Sequence, residues 1–122
     1  MPAVSKKQRI AAAIAEHQQA LLVDSQFWLA HLNLGTLYLK QHQRELAIGH
    51  FQQVATILGR GEKIDYYFPA EILDIRYYAH LTLGTLLLEQ GEHKSAIEHL
   101  RSALRIKPDS REAQQMLRDA TS

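Results

Sequence analysis

The amino-acid sequence predicts an all-α protein built from helical hairpins. The segment at residues 30–39 returns at residues 79–88 with eight of ten positions identical, at an offset of 49 residues. Such a repeat indicates two copies of one structural unit. Apolar residues recur at helical spacing through most of the chain, whereas the alternation typical of strands is absent. We expect the 122 residues to form a single domain.

Composition and charge exclude several classes of function. The sequence has 14 Lys and Arg against 13 Asp and Glu, so no strong field is present to gather nucleic acid or an anionic membrane surface. The lack of cysteine excludes disulfides and thiol chemistry. No apolar run approaches the roughly 20 residues of a membrane helix, and no signal peptide is recognisable. We expect a soluble, cytoplasmic protein with no nucleic-acid or membrane partner; a periplasmic location stays open if the sequence is a piece of a longer protein.

The first three predicted helices follow from the first copy of the repeat and its flanks. Residues 5–23 contain Ala13-Ile14, a pair that returns 34 residues later. Residues 26–41 carry the repeated segment and are apolar on almost every side. Residues 44–58 place their apolar side chains close to one stripe, as expected for a helix that packs against a neighbour. These side chains belong to Leu46, Ala47, Phe51, Val54, Ala55 and Leu58.

The next two helices follow from the second copy. Residues 69–90 carry the repeated segment, and Pro69 suits the first position of a helix because its missing N–H would be unpaired there. Gly91 suits the turn of a hairpin. A further amphipathic helix is predicted at residues 93–106, which Pro108 ends.

A short sixth helix is predicted at residues 109–120. Asp109 or Ser110 suits its N-cap, because their side-chain oxygens accept hydrogen bonds from the first free N–H groups of a helix. Ala113 and Leu117 fall on one face, with charged residues on the other. We interpret this segment as a helix that covers the C-terminal end of the repeats.

Both copies resemble the tetratricopeptide repeat (TPR) family. The first reads His31-x2-Leu34-Gly35-x2-Tyr38 and then Ala47-x3-Phe51; the second reads His80-x2-Leu83-Gly84-x2-Leu87 and then Ala96-x3-Leu100 and Pro108. The resemblance implies a short right-handed superhelical stack of antiparallel helical hairpins. It also implies that Gly35 and Gly84 allow the two helices of a hairpin to approach closely, with Phe51 and Leu100 filling the space between them.

The sequence departs from the family pattern in its spacing and in two residues. Histidine stands at positions 31 and 80, where the family usually has tryptophan, and the copies are 49 residues apart rather than 34. The additional residues predict a first helix in the second copy that is about two turns longer than usual, with Gly59 to Phe68 as a loop. The resulting division is a half repeat at 10–27, a first repeat at 28–61, an insert and helix extension at 62–76, a second repeat at 77–110 and a capping helix at 111–122.

No catalytic or metal-binding constellation is recognisable. The seven histidines include no His-Glu-x-x-His motif and no two that stand four residues apart. His31 and His80 are equivalent in the repeat, as are His50 and His99, so packing between helices explains them better than a binding site does. Serines and carboxylates fall mostly at predicted caps or outer faces. We therefore predict a protein that is not an enzyme and that has no cofactor and no bound metal.

The first helices of the two copies carry an apolar stripe that the hairpin core does not need. In TPR proteins the corresponding stripe lines a concave groove where peptides bind, so the resemblance implies a protein or peptide partner. The predicted groove residues are Leu29, Leu32, Thr36 and Leu39 in the first copy and Tyr78, Leu81, Thr85 and Leu88 in the second. The aromatic run Tyr66, Tyr67 and Phe68 is predicted either to cover the long helix or to form an edge of this groove.

Three functions stay open at this point. The favoured hypothesis is a non-catalytic module that binds a partner protein through the apolar groove. TPR proteins that bind acidic chaperone C-termini need lysines and asparagines where this sequence has Leu32, Thr36 and Thr82, so that activity is not favoured. The alternatives are self-association into a homo-oligomer and a regulatory appendage of an enzyme on the same polypeptide.

Overall fold

The computed structural model describes residues 3–59 and 70–122, and six helices form this part of the chain. No strand is present among these residues, so the all-α prediction is confirmed. The helices are α1 (Lys6–Val23), α2 (Trp28–Lys40), α3 (Arg44–Gly59), α4 (Ala70–Glu89), α5 (His93–Ile106) and α6 (Arg111–Thr121). None of them is long and apolar enough to cross a membrane.

The predicted helix bounds are close to those observed, with small differences at the ends. Gly59 was expected in a loop but is the last residue of α3, and α6 begins at Arg111 because Ser110 is its N-cap. The hydroxyl of Ser110 accepts a hydrogen bond from the N–H of Ala113 at 3.2 Å. Pro69 and the predicted loop that follows Gly59 lie outside the described residues.

The helices form a stack of antiparallel hairpins. Helix α2 packs against α3 to form the first hairpin, hereafter repeat 1, and α4 packs against α5 to form repeat 2. Contacts between α3 and α4 join the two repeats. Helix α1 covers α2 at one end of the stack, and α6 covers α5 at the other.

Close approach within each hairpin depends on a glycine in its first helix. A Cβ atom added to Gly35 would lie 2.9 Å from the ring of Phe51, and one added to Gly84 would lie 2.6 Å from Leu100. Both distances are shorter than carbon atoms tolerate without displacement. Phe51 and Leu100 are completely buried, so the roles that the resemblance implied for all four residues are confirmed.

One core cluster extends through the hairpins and across their junction. It contains buried residues of α1, α2, α3, α4 and α5, from Ile14 to Ala96. A smaller cluster of Val54, Leu58 and Ala79 lies between α3 and α4. In the predicted apolar stripe of α3, Ala47, Phe51, Val54 and Leu58 are buried and Ala55 is half-buried, but Leu46 is 48% exposed, so its assignment to that stripe was wrong.

Helix α4 has 20 residues against 13 in α2, which confirms the predicted extension where it is described. The additional turns contact the corner between α5 and α6. Asp74 pairs with Lys107 at 2.9 Å, and the Lys107 ammonium lies 4.6 Å from the centre of the Tyr77 ring. The Tyr77 hydroxyl is 2.6 Å from the hydroxyl of Ser110. These contacts, hereafter the corner brace, connect the extension of α4 to the N-terminus of α6.

Candidate functional site

The α2 part of the predicted groove contains both exposed and half-buried side chains. Leu29 is 40% exposed at the start of the helix. Leu32 is half-buried and packs against both core clusters, and Leu39 packs against the larger one. Thr36 donates its hydroxyl hydrogen to the carbonyl of Leu32 at 3.0 Å, which satisfies the hydroxyl and leaves its methyl group as the surface of the helix.

The α4 part repeats this arrangement. Tyr78, the counterpart of Leu29, is 43% exposed, and its ring meets the edge of Phe51 with 5.9 Å between centroids. Leu81 is half-buried, and Leu88 packs against the larger core cluster. Thr85 donates to the carbonyl of Leu81 at 3.0 Å and also lies 3.8 Å from the sulfur of Met116 in α6.

The structure corrects one expectation about this stripe. Leu32, Leu39 and Leu88 contact the core, so the idea that the core does not need the stripe is wrong for these residues. The most exposed side chains of the stripe are Leu29 and Tyr78, which are equivalent in the two repeats. The aromatic run at residues 66–68 lies outside the described residues.

Helix α6 continues the register of α2 and α4, a point that the sequence analysis missed. Ala30 and Ala79 are equivalent in the repeat, and Ala113 follows Ala79 by 34 residues, the length of one tetratricopeptide repeat. The three alanines are 1%, 0% and 0% exposed. Counting from these alanines, Glu112 corresponds to Leu29 and Tyr78, and Asp119 corresponds to Thr36 and Thr85. Both carboxylate residues are exposed. The Thr85–Met116 contact is consistent with this alignment, in which α6 provides a third and more polar side of the groove.

Two histidine pairs lie at the hairpin contacts. The Nδ1 atoms of His31 and His50 are 3.0 Å apart, and so are those of His80 and His99. The prediction that these residues lie between helices is confirmed, but their pairing was missed. Its signal was present in the sequence, because both pairs have the same separation of 19 residues.

The hydrogen bonds of the first pair identify its tautomers. Nε2 of His31 lies 2.9 Å from the carbonyl oxygen of Ser25, and a carbonyl only accepts hydrogen bonds. In the neutral ring Nε2 therefore carries the hydrogen, which makes Nδ1 of His31 an acceptor and Nδ1 of His50 the donor. The ring of Tyr38 stacks on His50 with 5.5 Å between centroids. This pair is a packed part of the hairpin in which both ring nitrogens of His31 are hydrogen-bonded.

The ring geometry favours a shared hydrogen over a shared metal ion. The two Nδ1 atoms are 3.0 Å apart. If both bound one metal ion at about 2.05 Å, each ring would have to turn toward the ion, and the ring centroids would then be roughly 4.7 Å apart. The centroids are instead 5.2 Å and 5.3 Å apart, as expected for rings placed end to end around an N–H···N hydrogen bond. No third His, Asp or Glu side chain joins either pair within residues 3–59 and 70–122.

The second pair lies in a more positive environment than the first. Burial, with smaller contributions from His99, Arg76 and Arg105, lowers the pKa of His80 to about 4. Burial also lowers the pKa of His50 and of His99. His80 is therefore neutral in the folded protein over the physiological range of pH.

Comparison with known proteins supports the repeat assignment. Residues 79–117 match the family model described as "Tetratricopeptide repeat", and this match covers most of repeat 2 and α6 as far as Leu117. No curated protein sequence gives a significant match. The predicted resemblance to the tetratricopeptide repeat family is thereby confirmed, and the stacked hairpins have the fold of that family.

Two solved structures illustrate the range of similarity. The NMR structure of the second TPR domain of the human RPAP3 protein, in complex with the HSP70 peptide SGPTIEEVD, is 19% identical, with a TM-score of 0.67 over 96% of this chain and 85% of that chain. The crystal structure of MamA is 22% identical over 98% of this chain and 84% of that chain, but its TM-score of 0.39 is too low to bear on the fold. The first likeness establishes a shared fold and nothing about a shared ligand.

Proposed function

We propose that this protein is a non-catalytic interaction module that binds a segment of a partner protein along the groove formed by α2 and α4. The observation that carries the proposal is the repeated stripe at an offset of 49 residues, in which every one of the eight side chains keeps some exposure and none is charged. Repetition of exposed apolar residues at matched places favours a surface that recognises an extended partner.

The chemistry of the stripe favours an apolar partner segment. Leu29 and Tyr78 provide two exposed anchors, and half-buried leucines form the floor between them. Removing apolar surface from water would stabilise a complex by about 25 cal/mol per Å². The hydroxyl groups of Thr36 and Thr85 already donate to their own helices, so they offer a partner acceptor lone pairs and no free donor.

The similar TPR domain of RPAP3 binds an acidic peptide, and this chain is not suited to the same ligand. A peptide such as SGPTIEEVD carries carboxylates that require cationic side chains in the groove. The positions that would provide them hold Leu32, Thr36 and Thr82. We therefore expect no measurable preference for that peptide.

A charge placed on the exposed part of the groove tests the proposal. Leu29→Glu is expected to fold normally, because a carboxylate at this half-exposed site stays solvated, but to lose the partner, because a bound apolar segment would bury that charge. The measurement is capture of partner proteins by the immobilised protein, with helicity and melting temperature measured in parallel. Leu46→Glu is the matched control, since Leu46 has similar exposure but lies on α3.

The proposal predicts a set of captured proteins that the Leu29 variant loses and the Leu46 variant keeps. Equal capture by both variants would place the functional surface elsewhere. Substitution of Leu32 is avoided, because its contacts with both core clusters would confuse loss of binding with loss of folding.

Self-association is a second candidate, favoured by a different surface. Leu22 and Val23 at the end of α1 are 79% and 90% exposed. Two copies that met there would bury apolar side chains that are otherwise in water. Light scattering of the wild type and of Leu22→Glu with Val23→Glu tests this candidate: an oligomer that becomes a monomer only in the double variant supports it, and a monomeric wild type contradicts it.

A further inference from the structure

The side of the proposed groove on α6 differs chemically from the sides on α2 and α4. The α2 and α4 sides are uncharged at all eight stripe positions. On α6, the corresponding positions hold Glu112, Gln115 and Asp119. The division into apolar and acidic sides follows from the shared register of Ala30, Ala79 and Ala113, each of which is buried.

The two carboxylates are available to an incoming ligand. Glu112 forms no ion pair with any side chain in the described part of the protein, and it is exposed. Asp119 is exposed, and its carboxylate accepts one hydrogen bond, from the side-chain amide of Gln115 at 2.8 Å. The neighbouring Arg118 donates to Gln115 at 2.7 Å rather than to a carboxylate. Both carboxylates therefore keep free lone pairs on the side of α6 that continues the groove.

We propose that the groove recognises an amphipathic segment with a fixed orientation, in which apolar side chains lie against α2 and α4 and Lys or Arg residues lie against Glu112 and Asp119. This inference rests on the proposed function, because it specifies the ligand of the same groove. Complementary charge at one end fixes the direction and register of a ligand more than it adds affinity. An acidic end of the ligand in the same place would meet like charge and be rejected.

The expected size of the effect follows from the exposure of the carboxylates. Exposed ion pairs are individually weak, so two of them are expected to change the affinity by about three- to tenfold in total at low salt. The apolar contacts supply the remaining affinity. The charge preference should therefore decrease as the salt concentration rises, whereas apolar binding should remain.

Selection from a displayed library of random helix-length peptides tests the orientation without a known partner. The library is selected on the full-length wild type and on Glu112→Lys with Asp119→Lys. The control variant is Glu98→Lys, which makes the same kind of charge change on an exposed position of α5. Each selected peptide is then measured against Leu29→Glu to confirm that it occupies the groove.

We expect wild-type binders to combine apolar residues with Lys or Arg near one end. We expect the double α6 variant to select Asp or Glu at that end and Glu98→Lys to behave like the wild type. The inference would be overturned if peptides that bind the groove showed no preference for Lys or Arg, or if the α6 variant selected the same basic residues as the wild type. The groove would in either case remain a binding site. If Leu29→Glu abolishes the binding of no selected peptide, the proposed function itself fails.

Discussion

Repeats 1 and 2 share the interior of their hairpins and differ at the ends of their helices. At an offset of 49 residues the same contacts recur, between a glycine and a large apolar residue and between two histidines. The turn differs, with His42 in repeat 1 and Gly91 in repeat 2, and the corner brace occurs in repeat 2. Close packing thus constrains the interior, where a changed side chain must be matched by its neighbours, and leaves the ends free to diverge.

The largest expected effect is at the glycine contact in repeat 2. Gly84→Leu should destabilise the protein by about 2–4 kcal/mol, because the new side chain must displace the buried Leu100 or the helix that carries it. Gly35→Leu should have a similar effect in repeat 1, where the ring of Phe51 is the obstacle. Chemical denaturation monitored by circular dichroism measures both.

A third glycine provides the control for this pair. Gly49 lies within α3, and a Cβ atom added to it would meet nothing within 4 Å. Gly49→Ala should therefore stabilise the protein by about 0.5–1 kcal/mol through helix propensity alone. If Gly84→Leu leaves the midpoint of denaturation unchanged, the close approach of α4 and α5 is wrong.

The second prediction concerns the loss of stability at low pH, which distinguishes the two histidine pairs. The pKa of His80 is about 4 in the folded protein against an ordinary value of 6.5, so the unfolded chain binds a proton more readily. Stability is therefore fully present above pH 6.5 and decreases as the pH falls from about 6.5 to about 4. The slope is at most about 1.4 kcal/mol per pH unit for one group, and it is smaller here because His80 is partly solvated.

The variant His80→Gln should flatten this pH dependence, and denaturation at several pH values measures the change. His50→Gln should flatten it less, because burial and the neighbouring His31 lower the pKa of His50 without the arginines that contribute at His80. Equal slopes for the wild type and His80→Gln would contradict the neutral state of the second pair.

The third prediction concerns the corner brace. Tyr77→Phe removes a hydroxyl that lies 2.6 Å from Ser110 and should destabilise the protein by about 0.5–1.5 kcal/mol. Ser110→Ala should have a larger effect, because it also removes the N-cap of α6. Urea denaturation of the two variants measures both effects. Equal effects would show that the N-cap contributes nothing beyond the Tyr77 contact, and an unchanged stability of Tyr77→Phe would show that its hydroxyl contributes nothing.

The smallest expected effect is at the turn of repeat 1. His42 has a φ of 60°, a left-handed conformation that costs energy in residues with a side chain, whereas Gly91 occupies the same place in repeat 2 with a φ of 79°. His42→Gly should therefore stabilise the protein by about 0.5–1 kcal/mol, and Gly91→Ala should destabilise it by a similar amount. Thermal unfolding of the two variants measures the difference. A destabilising His42→Gly would show that the imidazole forms contacts that offset its strain.

The sequence was sufficient for the fold because the repeated segment contains the residues that determine it. Gly35 and Gly84 predicted the hairpin contacts, and Gly91 predicted a turn that the structure shows. Leu46 was misplaced because helical spacing alone does not distinguish the edge of a buried stripe from its centre.

The site was less predictable, because the burial of a side chain depends on helices distant in sequence. Periodicity placed Leu32 and Leu88 on the groove, but only the packing of neighbouring helices shows that they also support the core. The proposed acidic side of the groove was not predicted, because α6 was interpreted as a cap and was not aligned with α2 and α4. The equivalence of Ala79 and Ala113 would have provided that alignment.

Helix α1 is attached to the rest of the molecule by little buried surface, so it should detach more easily than the hairpins open. The one buried residue of α1 is Ile14. The side-chain amide of Gln18 in α1 also donates a hydrogen bond to the Tyr38 hydroxyl in α2. In a stack where each helix depends on its neighbours, a terminal helix with one buried residue opens before the hairpins. We expect amide hydrogens of α1 to exchange through local detachment while those of α4 and α5 exchange only when the hairpin itself opens. A force applied at the N-terminus should therefore peel this helix away before either repeat yields.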